Sequence, residues 1–144
     1  KPKCSICPIS SHCAAFLNSE QMLFPNKKQK IASKPEKSLA FLIYTNEKNE
    51  IFLKKRPNQG IWGGLWSFEE CLDIDDSISK TIKKHNNNAS VIRRLETFKH
   101  SFTHYNLWIN PILVDSPGVY ENYFQKNSHL KALPVPVKKI IQAL

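Results

Sequence analysis

Three cysteines near the start of the chain have a spacing that can bind a metal ion or a cluster. Cys4, Cys7 and Cys13 form the pattern C-x2-C-x5-C, and a two-residue gap lets two thiolates turn toward one ion. A strong site usually has four ligands. His12 is the only nearby substitute for the fourth, because Cys71 lies far downstream.

Several interpretations of these cysteines stay open. A disulfide-linked secreted protein is disfavoured, because three is an odd number and no signal peptide precedes them. A zinc knuckle completed by His12, a set of free thiols and a cluster loop without its first ligand are the others. We favour the cluster loop and expect its first ligand in a longer parent chain, since this chain starts with Lys1 and its only methionine is Met22.

A second segment, residues 98–104, alternates its side chains in period two. An extended strand puts alternate residues on the same face. One face would therefore carry Phe98, His100, Phe102 and His104, and the other Lys99, Ser101 and Thr103. From the pattern alone, a half-buried edge strand with hydroxyls facing water is an alternative to a binding site.

The net charge favours a polyanionic partner. The 144 residues carry a formal charge of +9, and residues 1–37 hold +5 of it, from seven lysines and two glutamates. A basic leader suits nucleic acid, although lysines kept for solubility explain the charge about as well. No apolar run approaches the roughly 18 residues of a membrane span, so no membrane partner is expected.

The first 37 residues are expected to lie outside the folded domain. We interpret residues 1–17 as the end of the cluster loop. Residues 18–37 are rich in lysine and contain Pro25 and Pro35, which predicts a basic linker. The folded domain should then extend from Ser38 to the end of the chain.

The folded part predicts a mixed α/β domain in which hairpins form a sheet and two helices pack on it. The run 39–44 is almost continuously apolar, which favours a strand buried on both faces. Residues 51–56 return as the second strand of a hairpin, and a helix follows with Asp73 or Asp75 as its cap. The remaining predicted elements are that helix over 74–85, strands over 91–100 and 105–114, and a final helix opened by Pro134 and Pro136.

Glycines and tryptophans are concentrated between residues 60 and 68. This composition predicts a tight loop whose rings cover the edge of a core. The sequence of the segment is Gly60-Ile61-Trp62-Gly63-Gly64-Leu65-Trp66-Ser67-Phe68. Core packing is the default expectation for Trp62 and Trp66.

Four motifs follow one another along the chain in an order that matches one protein family. The first is the cysteine pattern, and the second is R-P-N-Q-G-I-W-G-G-L-W-S-F, from Arg56 to Phe68. The third is H-S-F-T-H, from residue 100 to residue 104, and the fourth is L-P-V-P-V-K-K-I-I, from Leu133 to Ile141. Together they resemble the C-terminal part of MutY-type adenine DNA glycosylases, whose iron–sulfur loop has the pattern C-x6-C-x2-C-x5-C.

The resemblance implies a Nudix-like α/β fold. A Nudix box, G-x5-E-x7-R-E-x2-E-E-x-G, places carboxylates on a helix to hold a divalent cation. Counted from Gly64, only Glu70 fits, and the helix offers Lys80, Lys83 and Lys84 where negative charge is needed. The sequence therefore predicts the Nudix scaffold without Nudix hydrolysis. A Nudix-type pyrophosphatase and a zinc-stabilised nucleic-acid-binding module remain as alternatives.

The resemblance also implies that His100, Ser101, Phe102, Thr103 and His104 bind DNA at the lesion 8-oxoguanine. This lesion carries N7–H as a donor where guanine has an acceptor, and a hydroxyl such as that of Thr103 can accept from it. Phe102 is expected to wedge or pack against the DNA. His104 is expected to contact a phosphate or to support the loop.

For the whole protein, the resemblance implies base excision repair of adenine opposite 8-oxoguanine. Catalysis is expected on an N-terminal domain that this chain lacks. A [4Fe–4S] cluster is expected in the full-length parent, with Cys4, Cys7 and Cys13 as three of its ligands. No cluster is expected on this chain alone. The expected partners are double-stranded DNA with an adenine–8-oxoguanine mispair, the missing catalytic domain, and other repair or replication proteins that dock on the linker. Reduced cysteines without targeting signals favour a cytoplasmic location, in a bacterium at the nucleoid.

Overall fold

The structure, a computed structural model, describes residues 2–26, 33–118, 122–124 and 132–144. The chain divides into two units, residues 1–33 and residues 34–144. The second unit includes residues 34–37, which the sequence pattern assigns to the linker. Residues 27–32 of the predicted linker lie outside the described residues.

The first unit is a series of short helical turns. Two 3-10 turns, Cys4–Ile6 and Ser10–His12, precede helix α1 (Ala14–Leu17). The Cys7 N–H donates to the Cys4 carbonyl at 3.2 Å, and the Leu17 N–H donates to the Cys13 carbonyl at 3.0 Å. No side chain of these three turns is buried.

The second unit is built on a mixed sheet of seven described strands. These are β1 (Glu36–Thr45), β2 (Ile51–Phe52), β5 (Glu69–Leu72), β6 (Ser90–Arg94), β7 (Phe98–Ser101), β8 (Asn106–Asp115) and β9 (Tyr123–Phe124). A separate two-stranded sheet joins β3 (Lys54–Lys55) to β4 (Trp66–Ser67). The two helices that the structure describes in this unit are α2 (Asp75–His85) and α3 (Val135–Gln142).

Strands β1 and β8 form the centre of the sheet. They pair in parallel over their full lengths, from Glu36 opposite Asn106 to Thr45 opposite Asp115. Strand β5 pairs antiparallel with β1, while β6 and β7 pair antiparallel with β8, one after the other. The N-terminal end of β1 therefore lies beside the β7–β8 connection.

The core lies on both faces of this sheet, as the apolar run at 39–44 predicts. Phe41 and Ile43 belong to a buried cluster with Val137 and Ile140 of α3. Ala40, Leu42 and Tyr44 belong to a second cluster with Ile78 and Ile82 of α2. Because successive side chains of a strand point to opposite faces, the part of β1 that is covered on both faces needs apolar residues at consecutive positions, as in 39–44. The predicted two-helix α/β fold is confirmed.

The predicted capping residue of α2 is wrong. The N-cap is Ile74, which makes no side-chain capping bond. Asp73 and Asp75 instead accept hydrogen bonds from the Arg94 guanidinium, at 3.3 and 2.8 Å. An ion pair across the start of the helix replaces the expected cap.

Several predicted strands have different limits in the structure. The predicted strand 51–56 is divided at Leu53, whose N–H donates to the Asn122 carbonyl at 3.1 Å, so β2 and β3 belong to different sheets. The predicted strand 91–100 is divided into β6 and β7. Strands β4, β5 and β9 are not predicted, and α2 follows β5 instead of the second strand. None of the helices that the structure describes is long and apolar enough to cross a bilayer.

Candidate nucleic-acid interface

The connection between β7 and β8 is a tight turn, residues 102–105, which we call the Thr103 turn. The Phe102 N–H donates to the Tyr105 carbonyl at 2.9 Å and closes it. Thr103 and His104 are exposed, whereas Tyr105 is buried. The turn thus projects a hydroxyl and an imidazole from a fixed base.

The predicted alternation of side-chain burial in the segment 98–104 is observed as far as this turn. Phe98, His100 and Phe102 are half-buried, and Lys99, Ser101 and Thr103 are exposed. His104 does not share the half-buried face, and this part of the prediction is wrong. The reason is that β7 ends at Ser101, so the period of two does not continue through the turn.

Phe102 packs inside the domain. Its ring centroid lies 5.3 Å from that of Trp62, 4.7 Å from that of His100 and 4.7 Å from that of Tyr105. His100 also contacts Trp62, at 5.6 Å between centroids. The aromatic cluster therefore holds the turn at its first residue, and a contact of the half-buried Phe102 ring with DNA stays a prediction.

Three lysines, which we call the basic rim, border the turn. The Lys34 ammonium donates to the Phe102 carbonyl at 2.9 Å. The Lys37 ammonium lies 4.8 Å from the Tyr105 ring centroid, and that of Lys99 lies 5.6 Å from the Trp108 ring. The sequence does not predict Lys34 and Lys37 as site residues, because only the parallel pairing of β1 with β8 brings residues 34–37 beside the turn. Lys99 lies on the strand face predicted for Ser101 and Thr103, but it is not among the predicted site residues.

The glycine-rich loop 57–65 presents Trp62 to the turn. Trp62 has a φ of +56°, a conformation that L residues rarely adopt. At Gly63 an added Cβ would lie 2.4 Å from the Asn58 carbonyl oxygen, so only glycine fits there. The Gly64 N–H donates to the Pro57 carbonyl at 3.0 Å. The loop is therefore as tight as its composition predicts, and Trp62 lies against the first core cluster.

Arg56 and Glu70 form an ion pair behind this loop. One terminal nitrogen of the guanidinium donates to Glu70, which also accepts the Ser67 hydroxyl at 3.2 Å. The Arg56 Nε donates to the Ile61 carbonyl at 3.1 Å. Burial and then the negative charge of Glu70 raise the pKa of the Tyr105 phenol, and Arg56 opposes this shift. The charges of the pair thus oppose each other in their effect on the pKa of the last residue of the Thr103 turn.

The three N-terminal cysteines are half-buried thiols. Cys4 begins the first 3-10 turn, and Cys7 and Cys13 follow the two turns. The His12 Nδ1 lies 2.9 Å from the Ser11 hydroxyl. In the ranges that the structure describes, no three His, Cys, Asp or Glu side chains are grouped as a metal site. The ligand role of these cysteines stays a prediction.

Comparison with known protein families identifies the second unit. The model of the NUDIX domain matches residues 40–143, most of the chain. This chain belongs to the NUDIX domain family. The match covers α2, α3, the Thr103 turn and the described sheet except for residues 36–39 of β1.

A curated relative points to one branch of this family. The adenine DNA glycosylase of Buchnera aphidicola subsp. Baizongia pistaciae (strain Bp) is 38% identical over 148 residues, which cover 97% of this chain. The chain spans 42% of the length of that relative. The resemblance to MutY-type adenine DNA glycosylases, predicted from four motifs, is thereby confirmed.

Solved structures agree on the fold. The MutT protein of methicillin-resistant Staphylococcus aureus 252, a Nudix hydrolase family member, has a TM-score of 0.55 at 14% identity, over 77% of this chain and 99% of its own. The C-terminal domain of mouse MUTYH, solved with human PCNA, has a TM-score of 0.54 at 13% identity, over 73% and 84%. At these identities the likeness shows the Nudix fold alone.

The residues at the Nudix box positions, all within the described part of the chain, do not fit a divalent cation. The carboxylate of Glu70, the only box position that matches, is paired with Arg56. Helix α2 exposes Lys80, Lys83 and Lys84, which would repel a cation. Since hard cations need several oxygen ligands, no hydrolytic step through a bound metal can be built from these residues.

Proposed function

We propose that this NUDIX domain recognises 8-oxoguanine opposite adenine in double-stranded DNA, as part of an adenine DNA glycosylase. The observation that carries the proposal is the exposed Thr103, held at the tip of a closed turn and bordered by the basic rim. The glycosylase relative supports the DNA-repair context. The lost metal site supports recognition over hydrolysis.

The chemistry of Thr103 suits the lesion. Its hydroxyl can accept a hydrogen bond from N7–H of 8-oxoguanine and donate a second bond elsewhere. Guanine presents an acceptor at N7, so the same hydroxyl must reorient and loses the accepted bond. Discrimination then depends on the direction of one hydrogen bond at a position fixed by the turn.

The other residues of the proposed interface position the duplex. Lys34, Lys37 and Lys99 supply positive charge for backbone phosphates, and such contacts carry affinity without sequence information. Exposed Ser101 and His104 flank Thr103 and offer further donors. His100 and Phe102 serve as the base of the turn.

We also propose a division of labour within the parent protein. Base flipping and cleavage of the adenine glycosidic bond belong to another domain, so this chain by itself should release no adenine. Cys4, Cys7 and Cys13 supply three of the four thiolates of a [4Fe–4S] cluster in the parent. The parent works on the DNA of a bacterial cytoplasm, and other repair or replication proteins dock on the linker.

The direct test is a binding comparison on one duplex sequence. Fluorescence anisotropy is measured with adenine opposite 8-oxoguanine, adenine opposite guanine, and adenine opposite thymine, at one salt concentration. We expect tighter binding to the lesion by about two- to tenfold over guanine, the value of one neutral hydrogen bond. Equal affinity for all three duplexes would contradict the proposal and leave only charge-driven DNA binding.

A further inference from the structure

Glu70, the only matching residue of the degenerate Nudix box, leads by direct contacts to the Thr103 turn. We propose that Glu70 and Arg56 are a positioning pair that sets the conformation of this turn through Trp62, whose ring packs against Phe102 at the start of the turn. The inference rests on the proposed lesion-reading role of Thr103. Glu70 stands where the Nudix box has a metal-binding carboxylate, and here it would support the recognition of the lesion.

The first step is that the ion pair fixes Arg56. The Arg56 side chain is only 25% exposed and the Glu70 side chain only 18%. Hydrogen bonds between ionised partners are stronger than neutral ones. The Arg56 N–H also donates to the Leu65 carbonyl at 2.8 Å. Both the backbone and the side chain of Arg56 are therefore tied to the loop 57–65 and to β5.

The second step is that Arg56 holds Trp62 in its unusual conformation. The Ile61 carbonyl, which accepts from the Arg56 Nε, belongs to the peptide group that contains the Trp62 N–H. The orientation of this peptide helps to set the φ of +56°, which a tryptophan adopts only where its surroundings impose it. The guanidinium carbon also lies 5.6 Å from the centroid of the Trp62 ring, within cation–π range.

The third step connects Trp62 to the turn. Its ring contacts both His100 and Phe102, and Phe102 begins the turn. At the other end, the ring of Tyr105 packs on that of Phe102, at 4.7 Å between centroids. The contacts from the ion pair therefore reach the turn at Phe102 and continue from there to Tyr105, and Thr103 lies between these two residues.

The test uses Glu70→Gln, which keeps the size of the side chain and removes its charge. Asp76→Asn is the matched control, because it removes one negative charge and one ion pair, with Lys80 on α2, away from this network. In the free chain, NMR should show that Glu70→Gln shifts the Thr103 amide and the Trp62 indole N–H signals, while Asp76→Asn leaves both in place. The preference for 8-oxoguanine over guanine should fall by about two- to tenfold in Glu70→Gln only.

A second variant, Arg56→Lys, separates positioning from simple charge balance. It keeps a cation beside Glu70 but loses the Nε donor to Ile61 and the flat group over Trp62. We expect Arg56→Lys to shift the same two signals and to lower the preference. If Glu70→Gln does not fold, Arg56→Lys carries the test.

The outcomes distinguish this inference from the proposed function. A lower unfolding midpoint in Glu70→Gln or Arg56→Lys with an unchanged Thr103 signal and an unchanged preference would overturn the positioning role. If Thr103→Ala leaves the preference of the native chain unchanged, the lesion-reading role fails. The NMR shifts of the free chain would still decide whether the ion pair positions the turn.

Discussion

At the scale of single residues, Thr103 and Phe102 are neighbours in the chain with different environments. Thr103 is exposed at the tip of its turn and buries little surface. Phe102 is half-buried, and its ring contacts three other rings. Substitutions at the two positions should therefore separate recognition from stability.

Thr103→Ala should weaken lesion discrimination and leave the free energy of unfolding nearly unchanged. Losing one neutral hydrogen bond at a partly wet interface costs about 0.5–1.5 kcal/mol, which is a few-fold to tenfold in the affinity ratio. Affinities for the 8-oxoguanine and guanine duplexes are compared with those of Ser79→Ala, which removes an exposed hydroxyl from α2. If Thr103→Ala lowered both affinities equally, the residue would be a backbone contact only.

Phe102→Ala should behave differently, because it opens the aromatic cluster. Truncating a fully buried phenylalanine to alanine costs about 3–5 kcal/mol of stability. For this half-buried ring we expect the free energy of unfolding to fall by roughly 2–3 kcal/mol. Urea unfolding of Phe102→Ala and Phe102→Leu measures it, since leucine restores part of the packing. An unfolding free energy equal to that of the native chain would show that the ring is not part of the core.

At the scale of elements, the sequence predicts what depends on local pattern. The apolar run 39–44 indicates a strand buried on both faces. Ile74, Ile78 and Ile82, each four residues apart, predict one apolar face of α2; Ile78 and Ile82 are buried as predicted, whereas Ile74 is the N-cap and is exposed. Asn86 ends that helix as its C-cap. Each of these patterns lies within a single helix or strand, so it can be recognised from the sequence alone.

Long-range pairing has no comparable local signal. Nothing within residues 36–45 indicates that β1 pairs in parallel with residues 106–115, and the short strands β4, β5 and β9 exist because of their partners. The same limit applies to the site. Thr103 could be predicted from its motif, whereas its supports Arg56, Trp62 and Tyr105 come together only in the folded sheet. Aspartate is a common N-cap residue, so Asp73 and Asp75 are reasonable candidates from sequence. In the fold, however, Arg94 of β6 binds both of their carboxylates.

Helix α2 ends on a stacked pair that should make stability depend on pH. His85 stacks on Tyr44 at 3.7 Å between centroids, and the Tyr44 hydroxyl donates to Glu69 at 3.1 Å. Burial lowers the pKa of His85 below its ordinary 6.5; the charge of Glu69 opposes this shift and that of Lys54 adds to it. Below pH 6.5 the unfolded chain therefore binds a proton that the folded chain resists, so stability falls as the pH falls.

The corresponding prediction is a comparison of unfolding free energies at pH 7.5 and pH 5.5. The native chain should lose stability on acidification, and His85→Gln should lose less, because the titrating group is gone. His104→Gln serves as the control, since His104 is exposed on the Thr103 turn. An equal loss in the native chain and in His85→Gln would place the pH dependence in other groups.

At the scale of the whole molecule, positive charge should attract DNA without reading it. The formal charge is +9, and three lysines border the proposed interface. Lys37→Ala should weaken binding to the 8-oxoguanine and guanine duplexes by the same factor. It should also reduce the slope of log K against log salt by about 0.9, the release of one condensed counterion.

The matched control for this prediction is Lys80→Ala, which removes the same charge from an exposed position on α2. We expect its salt slope to equal that of the native chain. A change of the lesion preference in Lys37→Ala, with an unchanged slope, would contradict the assignment of the rim to phosphates.

The NUDIX fold of this chain illustrates how one scaffold serves different chemistry. The sheet and helices of the fold are present, while the box positions for carboxylates on α2 hold Ser79, Ile82 and Lys83, and Glu70 forms an ion pair with Arg56. The central claim is that the Thr103 turn is the part of the molecule that reads the lesion.

The most direct test of this claim is an NMR titration of the chain with two duplexes that differ only in 8-oxoguanine or guanine opposite adenine. Backbone amide shifts are mapped for both complexes at one salt concentration. We expect the difference between the two maps to be concentrated in residues 101–105, while the lysines of the rim shift alike in both. A difference map that leaves residues 101–105 unchanged and changes elsewhere would contradict it.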